Sequence, residues 1–524
     1  MIRSFTSPLL LAGLLTAAVS GTAATISGTV TASGQPLAGA LVTAEAKNGI
    51  AVSVYADGSG RFSISTPYAG PFQIRSRAPG LEDAKTSADD GAVVKLEATP
   101  AADPLLLAPS SSLLSLLPEG EDKRRFLLNC AGCHEIAHGR IWKDGKVRDH
   151  AKWAEAIKLM KAIDVYALVS PEIDTEKYAA WLSTNLTPAR LATLNPGAAV
   201  QPAIGGKVTI TEYPVPVASE LPHDVGIGPD GRIWITAFWT NAMWALDPKT
   251  GKIERFAVTK KNETQPAQVR ALAFDRKGIL WIVLGGTKSV VRLDPKTRKI
   301  RTYPIGMYAH DIVLDSKGSA WFNDYFSKPE RVGNLNPTTG KVTIYALPSA
   351  NLPDSAGKPL PYGLHIDAKD RLWATQMAGN TLVRFDTRNI EMKLYKMPEA
   401  LSGPRRSDID VDGSIWIPEF DTGYLTRFDP DSETFERFNL GNSAIGPYAA
   451  AVDPRGGAVW ITGSLDSSLL RFDTKTHAVE RYPLPTEPAY TRHVVVDAKS
   501  GAVWSAYSSL PTAVPKIVRL DRRD

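Results

Sequence analysis

The sequence predicts a mainly β protein of several domains, dominated by a seven-bladed β-propeller that an N-terminal strand closes. Three observations carry this reading. A unit of roughly 40–50 residues, four short strands long, recurs seven times between residues 207 and 521. Each copy centres on a tryptophan in its second strand: Trp234, Trp281, Trp321, Trp373, Trp416, Trp460 and Trp504. Ahead of the repeats, residues 25–98 alternate apolar and polar positions as a small β-sandwich does, and residues 119–191 alone change to helical periodicity.

Within a unit the first strand opens on a polar residue. It ends in a turn such as Gly228-Pro-Asp-Gly or Asp315-Ser-Lys-Gly, which returns the chain into the tryptophan strand. A third strand runs into phrases such as Trp244-Ala-Leu-Asp-Pro-Lys-Thr-Gly, Val291-Arg-Leu-Asp-Pro-Lys-Thr and Leu425-Thr-Arg-Phe-Asp-Pro-Asp. A fourth follows, as in Arg301-Thr-Tyr-Pro. Four short strands per unit at this period are the pattern of propeller blades. The last copy stops after its third strand at Ile517-Val-Arg-Leu-Asp, while Val208-Thr-Ile-Thr-Glu-Tyr-Pro precedes the first copy as a spare fourth strand. That strand is expected to complete the last blade and cover its open edge. A ring closed within one chain needs no second copy, so a monomer is expected.

At 524 residues the chain exceeds a single core, and the propeller (207–524) takes only part of it. A hydrophobic fraction of 43% with 22% charged residues is ordinary for soluble globular protein, and a net charge of +5 is small for this length. That charge supports neither nucleic-acid binding nor a polybasic membrane anchor. Residues 1–24 read as an export signal peptide. Arg3 is the positive start, residues 9–19 the short apolar run, and Gly21-Thr-Ala-Ala the small residues at a cleavage site. The run falls short of the roughly 20 apolar residues that span a bilayer, and no later stretch is apolar enough to do so. An exported protein without a membrane span is expected.

In the sandwich, Ile26-Ser-Gly-Thr-Val-Thr, Ala40-Leu-Val-Thr-Ala-Glu, Gly60-Arg-Phe-Ser-Ile-Ser and Phe72-Gln-Ile-Arg-Ser read as strands, with turns at Gly34-Gln-Pro and Asp57-Gly. The phrases Gly34-Gln-Pro-Leu-Ala-Gly-Ala-Leu-Val and Asp57-Gly-Ser-Gly-Arg-Phe resemble the carboxypeptidase regulatory-like modules. The resemblance implies a spacer or docking module without catalytic residues. Residues 99–118, rich in Ala, Pro, Leu and Ser, read as a linker, and 192–206 as another. Between them lie helical runs at 122–130, 151–163 and 175–185.

Inside that helical segment stands Cys130-Ala-Gly-Cys-His134, which contains the chain's only two cysteines, Cys130 and Cys133. Thiols at this spacing can add to the two vinyl groups of a haem, and the adjacent histidine then lies against the iron as axial ligand. A redox disulfide and a zinc half-site compete for the same pattern. The first is expected in a βαβ setting, which is missing here, and zinc needs two further ligands at fixed spacing. The sixth iron position is expected at Met160, the only methionine of the segment, with His150, His138 or an open site as alternatives. Met160 also reads as an apolar side chain packing its helix beside Ile157. The segment resembles the mono-haem cytochrome c domains, down to the phrase Tyr178-Ala-Ala-Trp-Leu. The resemblance implies an α-helical cytochrome c domain at 119–191 with one covalent haem c. Cys130 and Cys133 are then its thioether attachments and His134 its proximal ligand. Covalent haem attachment outside the cytoplasmic membrane makes the periplasm the expected compartment.

Aligned on the turn after each first strand, the seven copies place one residue each at the start of that strand: His223, Arg270, His310, Tyr362, Arg405, Tyr448 and Arg492. First strands line the axis of a propeller, so these side chains are expected to converge on one opening of the channel. None of the seven is apolar. Arginine and histidine suit a carboxylate, phenolate or phosphate on a small substrate, and tyrosine adds aromatic faces and hydroxyls. The alternative is a solvated rim. A second inward tier is expected three residues after each tryptophan, at Ala237, Leu284, Asp324, Gln376, Glu419, Gly463 and Tyr507. Asp324 and Glu419 are candidates for holding Mg2+ or Ca2+, and Glu419, His310 and His223 for catalysis as bases; an ordinary salt bridge is the alternative for each carboxylate. His365 and His493 lie near the first-strand starts as further candidates.

The repeats resemble the streptogramin lyases (virginiamycin B lyase family). The resemblance lies in Leu221-Pro-His-Asp-Val-Gly-Ile-Gly-Pro-Asp-Gly-Arg-Ile-Trp-Ile-Thr, Ile415-Trp-Ile-Pro-Glu-Phe and Thr209-Ile-Thr-Glu-Tyr-Pro-Val-Pro. It implies the propeller and, beyond it, metal-dependent elimination from a cyclic depsipeptide, with Glu419 at a position resembling a metal-binding glutamate. Asp421 stands where a histidine would favour that chemistry. Three functions therefore go forward. The first is an exported redox protein whose propeller binds a small anionic or aromatic substrate or a redox partner protein. The others are a metal-dependent carbon–oxygen lyase and a non-catalytic binding scaffold.

Overall fold

The computed structural model describes residues 24–523 except 104, 133, 137, 144–145, 164–172, 195–205, 261–262, 264, 328, 349–359 and 510–514. The export signal expected at 1–24 thus lies outside the described residues but for Ala24, and Cys133 lies outside them too.

The repeats form seven four-stranded antiparallel blades. The first comprises Pro222–Ile227, Ile233–Ala237, Ala242–Leu246 and Ile253–Ala257, and the next five follow the same order. The seventh takes Thr491–Val496, Val503–Tyr507 and Lys516–Arg522 from the end of the chain and Val208–Pro214 from its front, paired from Val208 with Arg522 to Pro214 with Lys516. The repeated tryptophans are at most 3% exposed and pack between blades. Four of them also explain the turn that precedes them. The indole N–H groups of Trp281, Trp321, Trp373 and Trp416 donate to Asp275, Asp315, Asp367 and Asp410, each six residues earlier. The Asp275 and Asp367 carboxylates also accept backbone N–H groups within their own turns. One aspartate therefore sets both the turn and the tryptophan rotamer.

Val208–Pro214 would itself expose an edge, and the sandwich removes it. Ala51–Tyr55 pairs antiparallel along Val208–Pro214, from Val54 opposite Thr209 to Ala51 opposite Glu212. Blade seven and the sandwich strands Leu41–Glu45, Ala51–Tyr55, Phe72–Arg77 and Ala84–Ala88 thereby become one eight-stranded sheet. An edge already paired offers no template for aggregation. Arg61–Thr66 of the opposing sheet alternates exposed and buried residues one by one, and Ile26, Val30, Val42, Ile64, Phe72 and Ile74 make the core between the layers.

The α-helical cytochrome c domain expected at 119–191 is corrected. The described residues there carry four short pieces (Glu121–Phe126, a π-turn at Leu127–Ala131, His138–Ile141 and Pro188–Leu191) and only two longer helices, His150–Ile163 and Thr175–Asn185. Trp142–Lys143 and Lys146–Val147 add a small ribbon. Among the described residues no group of three or more His, Cys, Asp or Glu side chains is placed to hold a metal ion. Nor does the segment keep a core of its own. Phe126, Leu127, Ala131 and Tyr178 belong to one apolar cluster with Tyr362, Phe420, Tyr448, Leu465 and Tyr490 of the propeller. Residues 105–117, within the stretch read as a linker, join the same cluster through Leu105, Leu113, Leu114 and Leu117. Ser111 N donates to Leu465 O at 2.7 Å. The segment is a cap seated on the propeller, with too few helices to stand as a separate helical domain.

Candidate functional site

Six first strands carry a register shift right after their first paired residue, for example between Pro222 and Val225 or Ala309 and Ile312. A β-bulge of this kind re-aims side chains. Second-strand polar residues hold several of the bulges in place. Thr236 Oγ1 accepts Asp224 N at 2.7 Å, Asn323 Oδ1 accepts His310 N and Asp311 N, Thr375 Oγ1 accepts Gly363 N, and Thr462 Oγ1 accepts Ala449 N. Each sits two residues after its blade's tryptophan.

Six of the seven residues expected at the mouth lie at these irregularities, Arg405 lies between the isolated bridges of Pro404 and Arg406, and the structure brings all seven together. Arg270 Nη1 is 3.1 Å from His223 Nε2, and the His223 and His310 rings lie 5.3 Å apart. His310 packs 4.2 Å from Tyr362, whose hydroxyl meets that of Tyr448. Arg492 Nη1 donates to Tyr448 Oη at 3.1 Å, and Arg405 lies over Phe420 at 3.6 Å and over Tyr448 at 4.4 Å. They do not form a solvated rim, because none exceeds 8% exposure.

Burial governs their ionisation. It holds His223 and His310 far below the usual imidazole value, reinforced by Arg270 and Arg406. His223 Nδ1 donates to Asp224 Oδ1 at 2.7 Å, so its Nε2 is the acceptor for Arg270. His310 Nδ1 faces the Tyr362 carbonyl at 3.3 Å, which leaves Nε2 as the lone-pair nitrogen. Burial alone would push the Tyr448 phenol up, but Arg492, Arg405 and Arg406 outweigh it and bring it below its usual value.

The cap closes this ring with Ala131 and Gly132, between Cys130 and His134. Tyr490 Oη lies 2.8 Å from Gly132 O and 3.1 Å from Ala131 O, and Arg405 Nη1 donates to Gly132 O at 3.4 Å. A side chain at 132 would have its Cβ 2.9 Å from Arg405 Nη2 and 2.8 Å from Leu128 O, so the close approach requires glycine. Around the loop, Ser509 donates to Glu135 at 2.7 Å, Lys123 reaches Ser443 at 2.9 Å, and Arg124 pairs with Glu399.

On its other side the loop walls a cavity of about 550 Å3 lined by Cys130, His134, Ile136, Trp153, Ile157 and Met160, with Arg140, Lys146, Arg148 and Lys152 also on its wall. His138 and His150 do not line it; they pair with Asp103 and Glu176. His134 Nδ1 lies 2.9 Å from Glu135 O, so it carries the proton and Nε2 carries the lone pair. Burial, helped by Arg140, pulls the His134 imidazole down to about 4, which keeps it neutral. A cleft with an apolar side, a charged edge that includes Asp149 and Glu155, and a cysteine, a neutral histidine of fixed tautomer and a methionine on its wall offers a set of donors that a haem could use.

The second tier turns away from the axis. Asp324 pairs with Arg331 of its own blade, and Gln376 bonds Thr381 of the next strand. Glu419, fully buried, accepts from Thr422 at 2.6 Å, Thr426 at 2.5 Å, and Arg437 Nε and Nη2 at 3.0 and 2.6 Å. Asp421 beside it is different. It is 2% exposed, neither carboxyl oxygen has a partner among the described residues, and burial pushes it up to about 7 against the pull of Arg405. The unfolded carboxyl ionises near 3.8, so between that pH and about 7 the folded chain holds the extra proton and stability falls as pH rises. Asp421→Asn is therefore expected to raise the melting midpoint at pH 8 by a few degrees, and to leave it unchanged at pH 4, as calorimetry at the two pH values would register.

Two groups that matter here escaped the sequence reading: Tyr490, which carries the cap, and the residues next to the ring, above all Asp224, Asp311 and Arg406. Their signal is the polar doublet. His223-Asp224, His310-Asp311, Arg405-Arg406 and Arg492-His493 break strand alternation, as a bulge does.

Comparison with known proteins agrees with this layout. Residues 25–100 match the carboxypeptidase regulatory-like domain. The streptogramin B lyase structure is similar at 21% identity with a TM-score of 0.53, covering 60% of this chain and 98% of its own. The catalytically inactive virginiamycin B lyase from Staphylococcus aureus with quinupristin gives 21%, 0.53, 60% and 99%. The selenomethionine-substituted form of that lyase gives 20%, 0.52, 60% and 99%. Among curated proteins no sequence matches. The chain thus joins an N-terminal carboxypeptidase regulatory-like domain to a β-propeller similar in fold to the virginiamycin B lyases.

Proposed function

We propose that the protein is an exported one-electron redox protein, with a haem c held at Cys130 and Cys133 over the sealed mouth of the propeller. The observation that carries this reading is the double role of one loop. Its cysteine and histidine wall this cleft, while its glycine carbonyl docks on Arg405 and Tyr490. When bound, the haem supplies reversible one-electron chemistry. His134, its ring oriented by the Glu135 carbonyl, would hold the iron through Nε2. Met160, alone of the three candidates, lies on the cavity wall and would be the second side chain to hold the iron. Ile136, Trp153 and Ile157 exclude water, and Arg140, Lys146 and Arg148, in excess over Asp149 once Lys152 pairs with Glu155, suit an anionic group or partner. Gly132, Arg405 and Tyr448 form a continuous line of contacts from the cleft to the ring, where a small anionic or aromatic substrate or a redox partner protein would be coupled to it. The lyase reading has fold similarity only, since Glu419 is already bound by Arg437.

Spectroelectrochemistry of the matured full-length protein tests the proposal. A reversible one-electron couple is expected, with Met160→Ala lowering the potential and His150→Ala leaving it in place. A couple indifferent to Met160→Ala, or none at all, would overturn it.

A further inference from the structure

A second cavity, about 500 Å3, follows the propeller axis beyond the ring. All seven first strands contribute to it, through residues that come after the ring positions. It therefore extends away from the cap, toward the face formed by the turns that follow the first strands. At its inner end sits Arg406, 3% exposed. Its Nη1 donates to Asp224 Oδ2 at 2.8 Å, but Nε and Nη2 have no protein partner among the described residues. Those two N–H groups share one edge of the guanidinium, the edge that grips both oxygens of a carboxylate. Ser407 Oγ and His493 Nδ1, on the same wall, likewise have none.

The ionisable wall of the channel is Arg406 with Asp224, Asp311, Asp408, His365 and His493, and Arg270, Arg405 and Arg492 lie buried in the ring behind it. Burial pushes Asp311 and Asp408 above the usual carboxylate range, and His493 on the same wall is held below the usual imidazole value. A buried guanidinium without its full set of acceptors is costly, and an anion placed against it removes that cost. Farther out the wall turns apolar, with Leu272, Leu314, Leu364 and Val494. Asp408 there already accepts the Ile409 and Val452 N–H groups.

We propose that this channel binds a small organic carboxylate, its two oxygens accepting from Nε and Nη2 of Arg406 and its body lying on the apolar wall. The ligand enters from the face opposite the cap and reaches the ring through Arg406, Asp224 and His223 without displacing the haem loop. The site stands whether or not a haem is bound.

Isothermal titration calorimetry on the full-length protein, with sodium benzoate, sodium acetate, benzamide and sodium phosphate as probes, decides it. Benzoate is expected to bind and to raise the melting midpoint, with acetate weaker for lack of a body. Benzamide, of the same shape without the charge, is expected to bind at least about tenfold more weakly. Arg406→Lys keeps a cation beside Asp224 but loses the two-donor edge, and is expected to weaken benzoate by about tenfold or more. Ala450 meets Arg406 through the backbone, its N–H donating to that carbonyl at 2.9 Å, so Ala450→Leu narrows the channel while keeping the guanidinium and is expected to weaken benzoate more than acetate. The proposal fails if neither carboxylate binds, if phosphate alone binds, or if benzoate binds both variants as it binds the parent protein.

Discussion

Replacing Arg437 by methionine is expected to cost the protein about 3–5 kcal/mol in chemical denaturation. Glu419 is fully buried, and two of its four short contacts come from that guanidinium. Methionine keeps the aliphatic volume and leaves a carboxylate in the blade with only the Thr422 and Thr426 hydroxyls. Breaking one side of a buried pair costs more than the pair contributes, because the remaining charge is stranded. Adding Glu419→Leu to Arg437→Met should therefore recover most of the loss. A double variant as unstable as the single one would mean that Glu419 serves something other than this pair.

Gly132→Val is expected to lift the cap from the ring. The new Cβ meets the Leu128 carbonyl and the Arg405 guanidinium below 3 Å, and the first of these is backbone that cannot swing aside. Overpacking of this kind costs about 1–3 kcal/mol, concentrated where the loop meets Arg405 and Tyr490. Limited proteolysis should then cleave within residues 105–191 much faster than in the parent protein, while the propeller stays intact. The newly exposed tyrosines should be quenched more strongly by iodide. Equal protease resistance would show that the loop is not what seats the cap.

The repeat made most of the propeller legible. With seven copies to align, a polar residue at one position in each could be read as an inward set, and the unfinished last copy pointed to Val208–Pro214 as its fourth strand. Where there was no repetition, reading was harder. Leu113, Leu114 and Leu117 lie in a stretch whose composition is that of a linker, yet their burial on the propeller depends on a surface that no local pattern reveals. The joining of sandwich to blade is made by backbone pairing, which leaves no side-chain signature at Ala51–Tyr55. Spacing placed Asp324 and Glu419 near the axis, but the rotamers follow Arg331 and Arg437 on outer strands of the same blades. Helical periodicity at 151–163 and 175–185 was genuine; what it could not supply was a closed core, since the apolar faces are shared with Tyr362, Tyr448 and Tyr490.

The most direct test is the haem content of the intact, full-length protein produced with its covalent-attachment machinery. Mass spectrometry of the denatured chain should find one haem per polypeptide that survives unfolding, and Cys130→Ser with Cys133→Ser should abolish it. An unmodified mass, with the two sulfurs joined to each other, would contradict the account.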